Sequence, residues 1–408
     1  MYSHFEGVLM TEKIKKETLK RLTFLPFSLP SIGEEEIAEV VDSLRSGWIT
    51  TGPKAHQFEK DFAEYVCSKY AVGLSSATAG LHLSLMALGI GAGDEVITTP
   101  MTFVSTVNMI VVNGATPVFA DINPRTLQID PEEIKKKVTD RTKAVIPVHF
   151  AGQPCDMDRI HEIADAHHLH VIEDAAHAIG TAYRGKRIGA GSELTVFSFH
   201  PIKNITTGEG GMVTTNQEDL AETIRMLKFH GISKDAWKRY DEKGTPHYDV
   251  MAAGFKYNLM DIQAALGIHQ LRRIETFNRR RKEMAERYNQ ALADLDEIEL
   301  PQEVSYPHRH AWHLYVILVR PEKLTMDRNG FMDALKAEKI GTGIHFIAVH
   351  LHDYYQKHSP YRRGDLPHAE SVSDRILSLP LYPAMTDKDQ EDVIAAVRRV
   401  CQQHRRRA

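Results

Sequence analysis

Ser198-Phe199-His200-Pro201-Ile202-Lys203-Asn204, followed by Thr206-Thr207-Gly208-Glu209-Gly210-Gly211, is the stretch on which the reading of this chain turns. It comes after the apolar run Leu194-Thr195-Val196-Phe197, so one lysine falls in a turn at the end of a buried strand. The glycines behind it let backbone pass close to a ligand. Upstream, His170-Val171-Ile172-Glu173-Asp174 is a second apolar strand, and it ends in a carboxylate. Short apolar runs alternate with amphipathic segments around these two. Strands are expected at 70–74, 95–98, 117–120, 144–148 and 170–173, and helices at 78–88, 103–112, 131–137 and 156–167. That rhythm predicts an α/β fold with a mostly parallel sheet flanked by helices.

The flanks complete the outline. Ser31 and Glu34 have the spacing of a capping box that opens a helix through residue 45. The turn-rich Ser46-Gly47-Trp48-Ile49-Thr50-Thr51-Gly52-Pro53 then leads into a helix near 54–67. Beyond Asp261 a long charged helix is expected over 261–292, bent near Gly267. It connects to a smaller C-terminal α+β domain with a strand at 313–319, a helix at 328–338 and a terminal helix from 387. The expected division is an N-terminal extension (1–30), a large α/β domain (31–265) and a small α+β domain (266–408).

Composition narrows the function classes. The chain has 408 residues, 42% of them hydrophobic and 25% charged, with a net charge of −4. That balance gives no electrostatic reason to expect nucleic acid or an anionic membrane as partner. The basic end His404-Arg405-Arg406-Arg407 reads as a solvated terminus. Three cysteines without metal-ligand spacing fit a reduced compartment. Residues 1–21 lack the apolar core of a signal peptide, and no apolar run reaches the roughly 20 residues of a membrane helix. The expected location is the cytoplasm. The histidines at 308, 310 and 313, and at 345, 350 and 352, lack the helical pair with a carboxylate that a zinc site of the HExxH kind needs, so no metal is expected. Asn204-Ile205-Thr206 is read as an accidental glycosylation sequon.

In open α/β sheets ligands bind beyond the carboxyl ends of the strands. Asp174, Ser198 and Lys203 all follow expected strands, as does Ser76-Ala77-Thr78-Ala79-Gly80, which runs into a helix. Taken alone, the last is an ordinary N-cap, Asp174 a strand-end acid and Lys203 a surface lysine. Together they fit one cofactor, pyridoxal 5′-phosphate (PLP). A lysine amine condenses with its aldehyde, a carboxylate keeps its ring nitrogen protonated, and a helix N-terminus holds its phosphate. Phe103, at another strand-to-helix junction, suits either stacking on a flat ring or core packing, and His177 lies within local reach of Asp174.

With these residues in place, the chain resembles the DegT/DnrJ/EryC1/StrS family of PLP-dependent sugar aminotransferases. The motifs are Gly47-Trp48-Ile49-Thr50-Thr51-Gly52-Pro53, Ser76-Ala77-Thr78, Glu173-Asp174-Ala175-Ala176-His177-Ala178, the lysine segment itself, and Gly254-Phe255-Lys256-Tyr257-Asn258-Leu259-Met260-Asp261. The resemblance implies the fold type I of PLP-dependent transferases. It implies transfer of an amino group from an amino acid, glutamate, to a nucleotide-linked 4-keto-sugar, in amino-sugar synthesis for cell-surface polysaccharide. Carried over by motif, Lys203 is the Schiff-base lysine and Asp174 the partner of the ring nitrogen. Ala77, Thr78 and Ser198 hold the phosphate, Phe103 stacks on the ring, and His177 sits near its phenolate. Asn258 reaches the cofactor of a neighbouring subunit, which makes a homodimer the working unit, and His345 lies at the sugar pocket. Within the family the chain is most similar to members that aminate a UDP-linked 4-keto-pentose, but Ile347 stands where those carry an arginine. Two other readings remain open: an aminotransferase for non-sugar ketones or amino acids, and a regulatory paralogue that keeps the fold without the chemistry.

Overall fold

A computed structural model describes residues 21–232 and 248–406; the expectations for residues 1–20 and for Arg407 lie outside the described residues. Two helices come first, α1 (Glu34–Ser46) and α2 (Pro53–Val66). The expected capping box at Ser31 and Glu34 does not open α1. Gly33 is the N-cap, and its N–H donates to Glu36 Oε2 at 2.9 Å, so the carboxylate one turn in closes the helix start. Then come β1 (Tyr70–Leu74), α3 (Ala77–Ala87), β2 (Glu95–Thr98), α4 (Val104–Val112), β3 (Thr116–Phe119), α5 (Pro131–Lys137), β4 (Thr142–Ile146), α6 (Met157–His167) and β5 (His170–Asp174). A small hairpin, β6 (Ala182–Tyr183) and β7 (Lys186–Arg187), precedes β8 (Leu194–Ser198), β9 (Gly211–Thr215) and α7 (Glu218–Leu227).

The seven-stranded sheet has the order β1-β9-β8-β5-β4-β2-β3. The pairs from β8 through β5, β4 and β2 to β3 are parallel, whereas β9 runs antiparallel to both β1 and β8. Every residue of β2, β8 and β9 is buried, because helices cover both faces, and the strands are correspondingly apolar or threonine-rich. The reversed strand β9 did not figure in the expected elements. Its sequence, Gly211-Met212-Val213-Thr214-Thr215, continues a glycine run that reads as a turn.

Two glycines bring α3 down onto this sheet. A Cβ at Gly80 would lie 2.6 Å from Val196 Cγ1. A Cβ at Gly211 would lie 2.4 Å from the Ser76 carbonyl carbon and 2.5 Å from the Ala77 nitrogen, so only a bare backbone passes there.

The chain continues through α8 (Asp261–Leu292), β10 (Ile298–Glu299), β11 (His308–Arg309), β12 (Tyr315–Val319), α9 (Arg328–Ala337), α10 (Asp353–His358), α11 (Pro367–Arg375), β13 (Ile376–Leu379) and α12 (Asp387–His404). Helix α8 runs through Gly267 as one element; that glycine lies against Phe58, whose ring atoms a Cβ would meet at 2.7 Å. A second sheet, β10-β12-β13, is antiparallel. Ile268, Leu271, Ile274 and Phe277 of α8 pack with α2 and the large sheet, and Met284, Tyr288 and Leu292 pack with β12, β13 and α12.

Gly211→Ala drives a methyl group into the backbone at the start of α3. Overpacking of this kind costs about 1–3 kcal/mol. The expected outcome is a lower urea midpoint at unchanged slope, together with weakened PLP uptake; a variant matching wild type in both would show that the contact does not constrain the fold.

Candidate active site

The carboxyl ends of β5 and β8 and the start of α3 open onto one cavity of about 400 Å³. At one end Ser76 caps α3, its Oγ accepting from Ala79 N at 3.1 Å. The N–H groups of Ala77 and Thr78 then have no partner among the described residues and face the cavity with the positive end of the helix dipole. Ser198, the last residue of β8, pairs with Gly211 beside them. These groups suit a phosphate.

Asp174 closes β5 at the floor of the cavity. Its Oδ2 accepts from Thr106 Oγ1 at 2.7 Å, and Thr106 in turn receives the hydroxyl of Thr102 at 2.8 Å. Its Oδ1 accepts from Ala176 N at 3.1 Å. The carboxylate is therefore fixed in orientation, with lone pairs left for a ring nitrogen. Glu173 points to the other face of the strand and meets His149 Nε2 at 2.6 Å; the strand's alternation separates the site acid from its structural neighbour.

Lys203 sits on a turn closed by its own N–H, which donates to the His200 carbonyl at 2.8 Å. Burial pulls its amine down to about 8, against the opposing pull of the Asp174 charge. His177 lines the same cavity, is buried, and is held well below the ordinary histidine range by that burial and by the Lys203 charge. His345 hydrogen-bonds Ser378 Oγ through Nδ1 at 2.9 Å, and burial takes it down to about 4. Phe346 stacks on His177 with ring centroids 5.8 Å apart, and Phe103, exposed at the cavity mouth, lies 6.1 Å from Phe346.

Eight of the nine residues singled out in the sequence thus meet in one cavity: Ala77, Thr78, Phe103, Asp174, His177, Ser198, Lys203 and His345. Asn258 does not line it. Asn258 is buried beside β1, where its Nδ2 donates to Thr51 Oγ1 at 2.6 Å, behind the exposed Trp48 and Ile49. Sequence reading missed Thr102 and Thr106, whose i, i+4 spacing across a helix start was the one available signal. It also missed Phe346, adjacent to the expected His345.

The donor set fits PLP. Free helix N–H groups at one end, an oriented carboxylate on the floor and a desolvated amine are the groups its phosphate, ring nitrogen and aldehyde call for. Comparison with known proteins agrees. Residues 30–398 match the DegT/DnrJ/EryC1/StrS aminotransferase family. The spore coat polysaccharide biosynthesis protein SpsC of Bacillus subtilis (strain 168) is 53% identical over 380 residues, which cover 93% of this chain and 97% of SpsC. Among solved structures, Spr1654 of Streptococcus pneumoniae in its PMP form aligns with a TM-score of 0.87 at 34% identity, over 93% of this chain and 99% of that one. DesV of S. venezuelae, in complex with a ketimine intermediate, aligns with a TM-score of 0.83 at 36% identity, again over 93% and 99%. A site built for PLP, on a chain matched along nearly its whole length, belongs to a PLP-dependent aminotransferase of the DegT/DnrJ/EryC1/StrS family.

Proposed function

We propose that this enzyme transfers an amino group from glutamate to the carbonyl of a nucleotide-linked 4-keto-sugar, as a cytoplasmic homodimer, with residues 31–265 and 266–408 acting as large and small domains. The observation that carries the site assignment is the desolvated Lys203 amine sharing a cavity with the oriented Asp174 carboxylate. The sugar acceptor is supported by SpsC, which is named for polysaccharide biosynthesis, and by Spr1654, named as a candidate sugar aminotransferase.

When bound, PLP supplies an aldehyde carbon and a ring able to store an electron pair. The protein does the rest. The Ala77 and Thr78 N–H groups and the Ser198 hydroxyl would hold the phosphate of PLP. Asp174, pinned by Thr106 and Ala176, would keep the ring nitrogen of PLP protonated. Phe103 and Phe346 cover the site against water. Lys203 Nζ would take the proton from the donor's α-carbon and deliver it to the carbon that the aldehyde of PLP supplies, a task suited to an amine near 8 that both gains and loses protons close to neutrality.

A second copy of the chain is supported at Asn258. Trp48 donates from Nε1 to the Thr51 carbonyl at 3.1 Å, and Trp48, Ile49 and Met260 are exposed around the Asn258–Thr51 pair. An apolar patch there covers well with a partner subunit whose cavity Asn258 would complete.

Four outcomes follow. Lys203→Ala is expected to lose turnover by more than the roughly 10²–10⁴-fold of a proton-transfer group, together with the visible absorbance of the loaded protein. In the wild type, capture of PLP by the apo protein should rise as pH passes through about 8 and level above it, because the neutral amine is the attacking form. A flat profile, or an active Lys203→Ala protein, contradicts the assigned role. Mixing inactive Lys203→Ala and Asn258→Ala proteins under subunit exchange should restore activity, and no recovery argues against a shared site. Finally, the pyridoxamine-loaded protein should regain its visible band with nucleotide-linked 4-keto-sugars and not with simple ketones; the reverse pattern would replace the sugar acceptor with a non-sugar one.

A further inference from the structure

A chain of buried amides leads from α8 to the cavity, and its polarity is fixed at every link. Asn278 Nδ2 donates to the Ile179 carbonyl at 3.0 Å, so its Oδ1 is the accepting end. Asn204, next to Lys203 in sequence, donates from Nδ2 to that Oδ1 at 2.7 Å and to the Ala311 carbonyl at 2.8 Å. Its own Oδ1 is then an acceptor, and it lies 3.1 Å from His313 Nδ1. His313 must therefore carry its proton on Nδ1, which leaves Nε2 as a bare lone pair. That Nε2 is buried with no hydrogen-bond partner among the described residues.

The His313 ring lies against His177, with centroids 4.3 Å apart and planes at 44°. His177 has the opposite polarity. Ala151 N donates to its Nδ1 at 3.3 Å, so its proton sits on Nε2. Neither ring has a carboxylate partner to stabilise a second proton. The charged and titratable groups that act on them are Lys203 after β8, His345 before β13 and Arg281 on α8, all of which oppose added positive charge. Arg281 also fixes the backbone of this stretch, donating from Nη1 to the carbonyls of His313 at 3.2 Å and Leu381 at 2.7 Å. Gly180 leaves the space this arrangement needs, since a Cβ there would lie 2.3 Å from Asn278 Nδ2.

We propose that His313 is a positioning residue of the reaction: Asn278 and Asn204 fix its proton on Nδ1, its uncharged ring backs His177, and His177, whose Nδ1 accepts from Ala151 N, is held to offer the cavity an uncharged Nε2–H. The proposal rests on the aminotransferase reading of the cavity. An uncharged imidazole donates a hydrogen bond to an anionic oxygen without surrendering the proton, whereas an imidazolium would protonate it. It also adds no second cation beside Lys203. In this arrangement Asn204 does for His313 what a carboxylate does in a charge-bearing histidine pair, but with an amide that does not favour the imidazolium.

The test uses apo protein labelled with ¹⁵N-histidine, with long-range ¹H–¹⁵N correlation spectra taken between about pH 6 and about pH 8, across the ordinary histidine range. His177 and His313 are assigned by the signals lost in H177Q and H313F. The expected result is Nε2–H for His177 and Nδ1–H for His313, with no second proton on either ring. An imidazolium at either position, or a His177 proton on Nδ1, overturns the proposal. In the loaded enzyme, H313A should lower kcat about tenfold with the donor KM within about twofold, and H313F, which restores a ring, should recover most of that loss; a kcat equal to wild type in H313A also overturns it. The spectra need no cofactor, so they stand apart from the aminotransferase reading, whose failure would instead appear as no visible band when PLP is added to the wild type.

Discussion

The backbone of Gly211 rests against that of Ser76 and Ala77 more closely than any side chain permits, and much of the site depends on that approach. Gly211 opens the reversed strand and pairs with both Leu74 and Ser198. One contact thus ties the end of β1, the start of α3 and the end of β8 into a single backbone cluster. The free N–H groups of Ala77 and Thr78 and the hydroxyl of Ser198 are neighbours as a consequence. Lys203 then lies on the connection between β8 and β9, whose two ends the sheet holds side by side. Close packing of this kind makes the lysine's position a property of the sheet and not of a free loop.

The electrostatics follow from the same enclosure. Desolvation weakens the hold of Lys203 on its proton, and Asp174 restores part of it. The acid needs a fixed orientation to do this, and the Thr102–Thr106 hydroxyl pair provides it. Burial pushes the nearby histidines below the ordinary histidine range, which leaves the lysine as the cavity's group that titrates nearest neutrality.

Much of this was legible in the sequence. Strands buried on both faces are written as unbroken apolar runs, so β1, β2 and β5 were found at or within a residue of their observed bounds, and the parallel rhythm followed from their spacing. Asp174 and Lys203 could be named because Asp174 ends such a run and Lys203 falls in the turn that follows another. The reversed strand was not legible, because Gly210 and Gly211 carry the signature of a turn, and the reason for Gly211, the start of α3, lies more than a hundred residues upstream. The N-cap of α1 was misplaced for a related cause: Gly33 has no side chain to announce itself, and the capping oxygen comes from Glu36. Thr106 was missed because a hydroxyl acquires a role only from what the fold puts beside it, here a carboxylate 68 positions away. Asn204 and His313 carried only a sequon and a loose histidine cluster as signals, and neither describes what they do.

Helix α8 has a last consequence. Its 32 residues span about 48 Å, long enough to pass through both hydrophobic cores. Ile268, Leu271 and Phe277 complete one core, and Met284, Tyr288 and Leu292 complete the other. Melting either half strips apolar partners from the same rod and exposes the face that the other half relies on. The stabilities of the two larger sheets are therefore coupled through this one helix.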